Sequence, residues 1–194
     1  MESVSETKIT RSKVNLASYD NSWYDPGGGG FKRTCWYFIN VLFLVNPLNP
    51  FSAFKIMLLK MFGARIGIGV VIKPGVNIKY PWFLEIGNHV WIGEKVWIDN
   101  LALVKIEDHV CISQGAMLLT GNHHYRKPAF DLITGQIKLE EGSWVGAFAI
   151  VCPGVICRSH SVLSVNSVAT ETLDAYWVYK GNPAVKTRER TINK

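Results

Sequence analysis

Residues 66–78 read IGIGVVIKPGVNI, and the spacing in this stretch decides the fold. Ile66, Ile72 and Ile78 recur at intervals of six, and Val70 and Val76 each follow an isoleucine by four positions. A helix would repeat its apolar face about every 3.6 residues, so this period is not helical. Two inward positions per six residues fit short strands joined by tight turns, three strands to each coil of a parallel β-helix.

The same pattern runs on towards the end of the chain and predicts about five coils. Further aliphatic positions of the first column are Ile86, Ile92, Ile98, Ile106, Ile112, Leu118, Leu139, Val145, Val151, Cys157, Leu163 and Ala169. The small residues of the second column continue as Val90, Val96, Ala102, Val110, Ala116, Ser143, Ala149, Val155, Ser161 and Ser167. One hexad cannot bury its own apolar face, so the coils must stack on one another.

Three insertions interrupt the pattern, each after the third strand of a coil. Insertions could fall at any corner, so their alignment along one edge indicates a built site. The second insertion begins at Asp99 and Asn100, and the longest, residues 121–136, contains the adjacent histidines His123 and His124. Because neighbouring coils lie about 4.8 Å apart, we expect Asp99 and Asn100 to lie near the base of that loop.

Four regions of different composition divide the chain. We expect a polar arm, flexible or extended, at 1–30, a helical segment at 31–63, the β-helix at 64–179 and a basic tail at 180–194. In the helical segment the prolines of NPLNP end a first helix, and Ser52 is expected to cap a second one.

Composition narrows the class of protein. Of 194 residues, 48% are hydrophobic and 19% charged, which argues against disorder for the bulk of the chain. The net charge of +6 suits an anionic ligand or membrane surface, but no nucleic-acid-binding motif accompanies it. No signal peptide or membrane-spanning run is visible, and four cysteines without a CxxC motif fit a reducing compartment. We therefore expect a cytoplasmic protein.

The helical segment also has an interfacial interpretation. Its apolar residues are accompanied by Lys32, Arg33, Lys55, Lys60 and Arg65, which would suit anionic headgroups at the inner face of a membrane. The alternative is that the two helices pack on the end of the β-helix or on a neighbouring subunit.

Several stretches resemble the hexapeptide-repeat acyltransferases, and most closely the sugar O-acetyltransferases of exopolysaccharide biosynthesis, of the colanic acid acetyltransferase type. They are FGARIG, VVIKPGVNIKYPWFLEIG, VWIGEKVWIDN, ISQGAMLLTGNHHY and YKGNPAVKTRERTI, between residues 62 and 192. The resemblance implies a left-handed parallel β-helix, acetyl-CoA as co-substrate without a metal, a sugar or sugar-conjugate acceptor, and a homotrimer whose long loop reaches the next subunit.

His123 is the candidate general base. The segment TGNH at 120–123 is similar to the Thr-Gly-His segment that carries the catalytic histidine in galactoside-type acetyltransferases, and a neutral imidazole is the usual base near pH 7. His124 is the alternative base, or a contact to the acceptor. The remaining candidates for acceptor binding, which could instead serve turns or packing, are Asp99, Asn100, Tyr80, Trp82 and Tyr125.

The resemblance places acetyl-CoA along the later coils and the tail. The matching positions are Ala147, Ser164, Val165, Thr170, Lys180, Gly181, Asn182 and Arg188. The basic tail would bind phosphates, or would simply be solvated. Glu171 departs from the family, which often has a basic residue after the threonine.

Two other classes remain open from the sequence. His89, His109 and His160 each follow a first-strand aliphatic by three residues and form a column, as a metal-dependent protein of the carbonic anhydrase type would need. A scaffold or binding protein without catalysis is the third class, against which the TGNHH segment counts.

Overall fold

The computed structural model describes residues 12–193 and contains a left-handed parallel β-helix, as expected. Residues 1–11 of the expected arm and residue 194 of the expected tail lie outside the described part. The chain forms two compact units. The β-helix unit consists of residues 26–122 and 134–193, and the loop unit consists of residues 12–25 and 123–133.

Three parallel sheets form the faces of the β-helix. The first face contains β1 (Arg65–Ile66), β4 (Leu84–Ile86), β7 (Val104–Ile106), β12 (Ile137–Leu139) and β15 (Ile156–Cys157). The second contains β2 (Val71–Ile72), β5 (Trp91–Ile92), β8 (Cys111–Ile112), β13 (Trp144–Val145), β16 (Val162–Leu163) and β18 (Trp177–Gly181), with β19 (Ala184–Glu189) antiparallel to β18. The third contains β3 (Asn77–Ile78), β6 (Trp97–Asp99), β9 (Met117–Leu119), β14 (Ile150–Val151) and β17 (Val168–Ala169). A separate pair, β10 (Gly121–His123) and β11 (Leu132–Thr134), forms the stem of the long loop.

The two predicted columns form the core, with the exception of Ala102 in the second column, which lies in the second insertion and is only partly buried. Every residue of the aliphatic column is buried, and equivalent residues of successive coils pair directly, as Ile72 does with Ile92 and Ile92 with Ile112. The expected five coils are complete, and a partial sixth follows, in which Leu173 bridges to Cys157 and β18 pairs with β16.

Glycines that follow the aliphatic positions allow the coils to approach closely. A Cβ at Gly93 would lie 2.6 Å from the backbone nitrogen of Gln114, and one at Gly146 would lie 2.7 Å from the carbonyl oxygen of Leu163. Any side chain there would push the next coil away, so the recurring glycine is a packing requirement of the stack.

Helices close the first end of the prism. The helix α1 (Gly29–Ile39) continues as a π-helical segment, Asn40–Val45, and α2 (Ser52–Met61) follows. Trp36 is buried, and its Nε1 donates to the carbonyl oxygen of Ile78 at 2.9 Å. This geometry agrees with helices packed on the end of the β-helix.

Two details of the helical segment differ from the sequence-based expectation. Ser52 is the first residue of α2, not its cap, because its hydroxyl bonds the backbone of Ile72 on the first coil. Lys55 does not face solvent: it is fully buried, with its Nζ donating to the carbonyl oxygen of Asn49 at 3.2 Å. Lys55 therefore cannot meet a lipid headgroup.

Candidate active site

The three insertions stack along one edge of the prism, as their positions predicted. The Oγ1 of Thr120, at the start of the third, donates to the carbonyl oxygen of Asp99 and accepts from the amide of Ala102, both at 3.0 Å. The carbonyl of Thr120 accepts from Gly135 at 2.8 Å. Thr120 is fully buried, so it fixes the two ends of the long loop to the second insertion.

Asn100 connects the second insertion to the first. Its Nδ2 donates to the carbonyl oxygens of Tyr80 at 2.6 Å and Phe83 at 3.1 Å, and its Oδ1 accepts from the amide of Tyr80 at 2.9 Å. The side chain is fully buried. These bonds favour the turn role that the sequence left open for Asn100 over contact with an acceptor.

Asp99 lies beside Asn100 and is partly exposed. Its Oδ1 is 2.9 Å from the Nζ of Lys79. Asp99 and Lys79 line a groove of about 700 Å³ next to α1, together with Tyr80 and the exposed Trp97. Asp99 and Tyr80 thus line a cavity.

Trp82 packs within the β-helix unit. It stacks on Tyr80 with ring centroids 5.1 Å apart, and its Nε1 donates to the carbonyl oxygen of Pro26 at 2.8 Å. A Cβ at Gly28 would lie 2.8 Å from the indole, and Gly28 has φ +69°. The glycine tract therefore lets the chain pass close over Trp82, which favours packing for this residue.

His123 is half-buried and held by its own loop. Its Nδ1 lies 2.8 Å from the carbonyl oxygen of Phe130, and its ring stacks on that of Phe130 at 4.6 Å and 12°. A carbonyl oxygen only accepts, so Nδ1 carries the hydrogen and the lone pair of the neutral imidazole lies on Nε2. The arrangement can therefore take up a proton at Nε2.

The neighbours of His123 brace the loop. The amide of His124 donates to the carbonyl oxygen of Asp131 at 2.8 Å, and Lys127 pairs with the Asp131 carboxylate at 2.9 Å. Tyr125 is 71% exposed, with the Arg126 guanidinium 5.5 Å from its ring centroid. Tyr125 is thus open to an acceptor, whereas the backbone of His124 helps to close the loop.

A cleft of about 890 Å³ lies on the second face of the prism, beside the hairpin of β18 and β19. It contains four of the eight residues expected to bind acetyl-CoA, namely Ala147, Ser164, Val165 and Arg188. Arg190 lines it too, but its Nη1 donates to the carbonyl oxygens of Gly142 at 2.9 Å and His160 at 3.1 Å.

The other four candidates lie outside the lining of this cleft. Thr170 follows β17 and is exposed, and Lys180 is exposed near the end of β18. Gly181 donates its amide to the Oγ of Ser167 at 3.0 Å, and Asn182 precedes a cis proline in the hairpin turn. The structure therefore does not bring these four residues together with the other four in the cleft.

The histidine column exists but is a stack of rings. His89 and His109 stack with centroids 5.3 Å apart, and His160 stacks on Tyr176 at 4.7 Å. In the coil between those of His109 and His160, the equivalent position is Gly142. A glycine is needed there because a Cβ would lie 2.7 Å from the Nε2 of His160. Within residues 12–193, no group of three His, Cys, Asp or Glu side chains has the arrangement of a metal site.

Sequence reasoning missed Thr120 and Phe130. In the sequence, Thr120 is the first residue of the TGNH segment and shows no role of its own. In the structure, its buried hydroxyl joins the second and third insertions. Phe130 takes the left-handed conformation with φ +56°, which non-glycine residues rarely adopt. No residue pattern in the sequence predicts that conformation. The one available signal was an aromatic residue at the far end of the loop, which could have indicated stacking on His123.

The stacked hexads, the long loop after the third coil and the cleft beside the last hairpin define a hexapeptide-repeat acetyltransferase. WcaF of Escherichia coli (strain K12), named for acetyl transfer in colanic acid biosynthesis, is 34% identical over 164 residues, which cover 84% of this chain and 90% of WcaF. The chain belongs to the colanic acid acetyltransferase family.

Two further comparisons report a similar sequence and a similar fold. Galactoside O-acetyltransferase of Escherichia coli (strain K12) is 26% identical over 135 residues, covering 68% of this chain and 66% of that protein. The fold superposes with a TM-score of 0.74 on a hexapeptide-repeat acetyltransferase of Vibrio cholerae O1 biovar eltor complexed with acetyl coenzyme A, at 21% identity over 84% of this chain and 88% of that one. A scan against protein-family models matches none.

Proposed function

We propose that this protein transfers the acetyl group of acetyl-CoA to a sugar hydroxyl in exopolysaccharide biosynthesis, with His123 as the general base. The observation that carries the proposal is the contact between His123 Nδ1 and the Phe130 carbonyl oxygen, which leaves the imidazole lone pair on Nε2. Membership of the colanic acid acetyltransferase family supports the reaction class.

The reaction needs a base on the acceptor and a bound thioester. Nε2 of His123 takes the hydroxyl proton as the sugar oxygen attacks the thioester carbonyl carbon, which forms a tetrahedral oxyanion. The carbon–sulfur bond then breaks, the thiolate of CoA takes the proton from the imidazolium of His123, and the sugar carries an acetyl ester. Positioning of both substrates supplies much of the acceleration.

The cleft beside β18 and β19 is the proposed donor site. Coil backbone near Ala147, Ser164 and Val165 offers hydrogen-bonding groups for the amides of pantetheine, and Arg188 offers charge for a phosphate. In the β-helix unit, Asp99 and Tyr80 of the groove next to α1 are the proposed acceptor contacts, and in the loop unit the exposed Tyr125 is the proposed one.

The test measures release of free CoA from acetyl-CoA in the presence of a panel of sugars and sugar conjugates. We expect His123→Ala to abolish acceptor-dependent turnover while CoA binding and the circular dichroism spectrum remain unchanged. His124→Ala is the matched control and should retain turnover. If only His124→Ala is inactive, the base is His124, and if both variants match the wild type, the mechanism is wrong.

A homotrimer is part of the proposal. The second and third faces of the prism expose Trp91, Trp97 and Trp144, and Phe148 is exposed at the corner between these faces; a closed threefold assembly would cover these large apolar side chains. Light scattering after size-exclusion chromatography tests it: a mass of three chains is expected, and a monomer at micromolar concentration contradicts it.

We also propose that the helical segment contacts the inner face of a membrane. Phe31 and Leu48 are each 86% exposed, and Phe51 and Met61 are exposed as well, with Lys60 nearby in α2. No helix in the described part of the chain is long and apolar enough to cross a bilayer. Cosedimentation with phosphatidylglycerol vesicles should fall for Phe31→Ser with Leu48→Ser, but not for the exposed tail variant Ile192→Ser, whereas equal binding of all three proteins would contradict this contact.

A further inference from the structure

The N-terminal arm packs on the histidine loop within the loop unit. The amide of Asn15 donates to the carbonyl oxygen of Pro128 at 2.8 Å. Asn15 also starts the short 3₁₀ turn Leu16–Ser18, since its side chain accepts from the amide of Ala17 at 3.2 Å and its carbonyl accepts from the hydroxyl of Ser18 at 2.7 Å. The turn thus fixes the direction in which the chain leaves towards Tyr19.

Tyr19 meets the imidazole of His123. The two ring centroids are 5.8 Å apart and the planes are inclined by 55°. Between residues 12 and 25 of the loop unit, Tyr19 and Tyr24 are partly buried and the other residues are exposed. The segment thus contacts the histidine loop through the backbone of Asn15 and through the ring of Tyr19.

We propose that Tyr19 is a positioning residue for His123. Phe130 stacks on the imidazole from the same loop, whereas Tyr19 reaches it from a segment distant in sequence. A side chain on a loop samples several rotamers unless neighbouring groups restrict it, and a catalytic base must hold its direction within roughly 10–20°. Two aromatic neighbours restrict rotation of the imidazole, so that the lone pair on Nε2 keeps its direction. This inference rests on the proposed function, in which His123 is the base.

The experiment uses the full-length protein with Tyr19→Ala, Tyr19→Phe and the control Trp23→Ala. Trp23 is an exposed aromatic residue of the same arm whose ring packs on Tyr24. Loss of an aromatic contact that orients the base corresponds to a rate change of roughly three- to tenfold. Tyr19→Ala should therefore lower kcat by that factor, with the KM for acetyl-CoA unchanged. Tyr19→Phe keeps the ring and should stay within about twofold of the wild type, as should Trp23→Ala.

A second measurement does not depend on the acceptor. Long-range nitrogen–proton correlation spectra should report one Nδ1–H tautomer for His123 in the wild type and in Tyr19→Phe, and broadened resonances in Tyr19→Ala. Unchanged spectra and kcat in Tyr19→Ala would overturn the inference, and so would equal losses in Tyr19→Phe and Tyr19→Ala, which would assign the effect to the hydroxyl. An inactive His123→Ala with a fully active Tyr19→Ala would leave the base assignment in place and reject the positioning role alone.

Discussion

The Nδ1 atom of His123 lies 2.8 Å from the backbone carbonyl oxygen of Phe130, and the rings of the two residues stack with centroids 4.6 Å apart. Phe130 therefore sets the tautomer of the imidazole through its carbonyl and contributes to the orientation of the ring through its side chain. The backbone carbonyl persists in any variant of Phe130, so the two effects can be separated by mutation.

Phe130→Leu should lower kcat by roughly three- to tenfold, because the stacking is lost while the hydrogen bond to the carbonyl remains. The KM for acetyl-CoA should not change, since the variant leaves the donor cleft intact. Steady-state kinetics with the acceptor found in the panel measure both constants. Ile133→Ala, at an exposed position of the same unit, is the control and should behave as the wild type. A Phe130→Leu enzyme with full kcat would show that stacking is dispensable.

Asn100→Ala should destabilise the fold strongly and Asp99→Ala should not. Removing the buried amide leaves the Tyr80 amide and the Phe83 carbonyl without their partner, at about 1 kcal/mol or more for each, while the Tyr80 carbonyl keeps its bond from the amide of Phe83. The partly exposed pair of Asp99 and Lys79 contributes about 0–1 kcal/mol. Urea unfolding followed by circular dichroism compares the variants. Equal unfolding midpoints for the two variants would contradict the assignment of Asn100 to the turn.

Arg188→Ala and Arg190→Ala should separate donor binding from stability. Arg188 lines the donor cleft, so its loss should raise the KM for acetyl-CoA by roughly tenfold, as expected for one charge-assisted contact to a phosphate. Arg190 bonds two carbonyl oxygens of the β-helix, so its loss should lower the melting temperature. Isothermal titration with CoA and thermal unfolding give the two readouts. Tight CoA binding by Arg188→Ala would remove this residue from the site.

Ser161→Ala should stabilise the protein, because its hydroxyl is one of two buried side-chain groups that lack a hydrogen-bond partner within the described residues. Earlier coils have Val70, Val90 and Val110 in the same column, so an apolar side chain suits this position. The gain should be about 1 kcal/mol. Ser167→Ala is the matched control and should destabilise, since its Oγ accepts from Gly181 at 3.0 Å. Stability changes of the same sign in both variants would be inconsistent with this explanation.

Lys55→Met should stabilise the protein at neutral pH. Burial holds the pKa of Lys55 below its usual range, and the charge of Lys73 adds to the shift. The unfolded chain therefore binds the proton more readily, so the stability of the wild type rises with pH between the folded and unfolded pKa values. The gain in the variant should be about 1 kcal/mol at pH 7 and should shrink as the pH approaches 10. Chemical denaturation at several pH values tests this, with the exposed Lys60→Met of the same helix as control. A gain that is constant with pH would point to packing rather than charge.

The periodicity of the chain was enough to predict the coils and the edge that carries the insertions. Aliphatic residues at Ile72, Ile92 and Ile112 pair across successive coils because a solenoid stacks residues that lie one full coil apart in the sequence. Sequence signals were not sufficient in the helical segment, where Ser52 was expected to cap a helix and Lys55 to face a membrane surface. Their polar groups bond the backbone of Ile72 and Asn49, and helix signals in the sequence do not report such partners.

For the site, the sequence by itself determined that a histidine loop follows the third coil, because a repeat makes its own interruptions visible. It could not assign Asn100 to a turn rather than to an acceptor, since amide side chains serve both purposes and only burial distinguishes them. The contact of Tyr19 with His123 was decided by tertiary structure alone. These residues are far apart in the chain, neither belongs to the hexad pattern, and the 3₁₀ turn that brings them together depends on hydrogen bonds that composition does not encode.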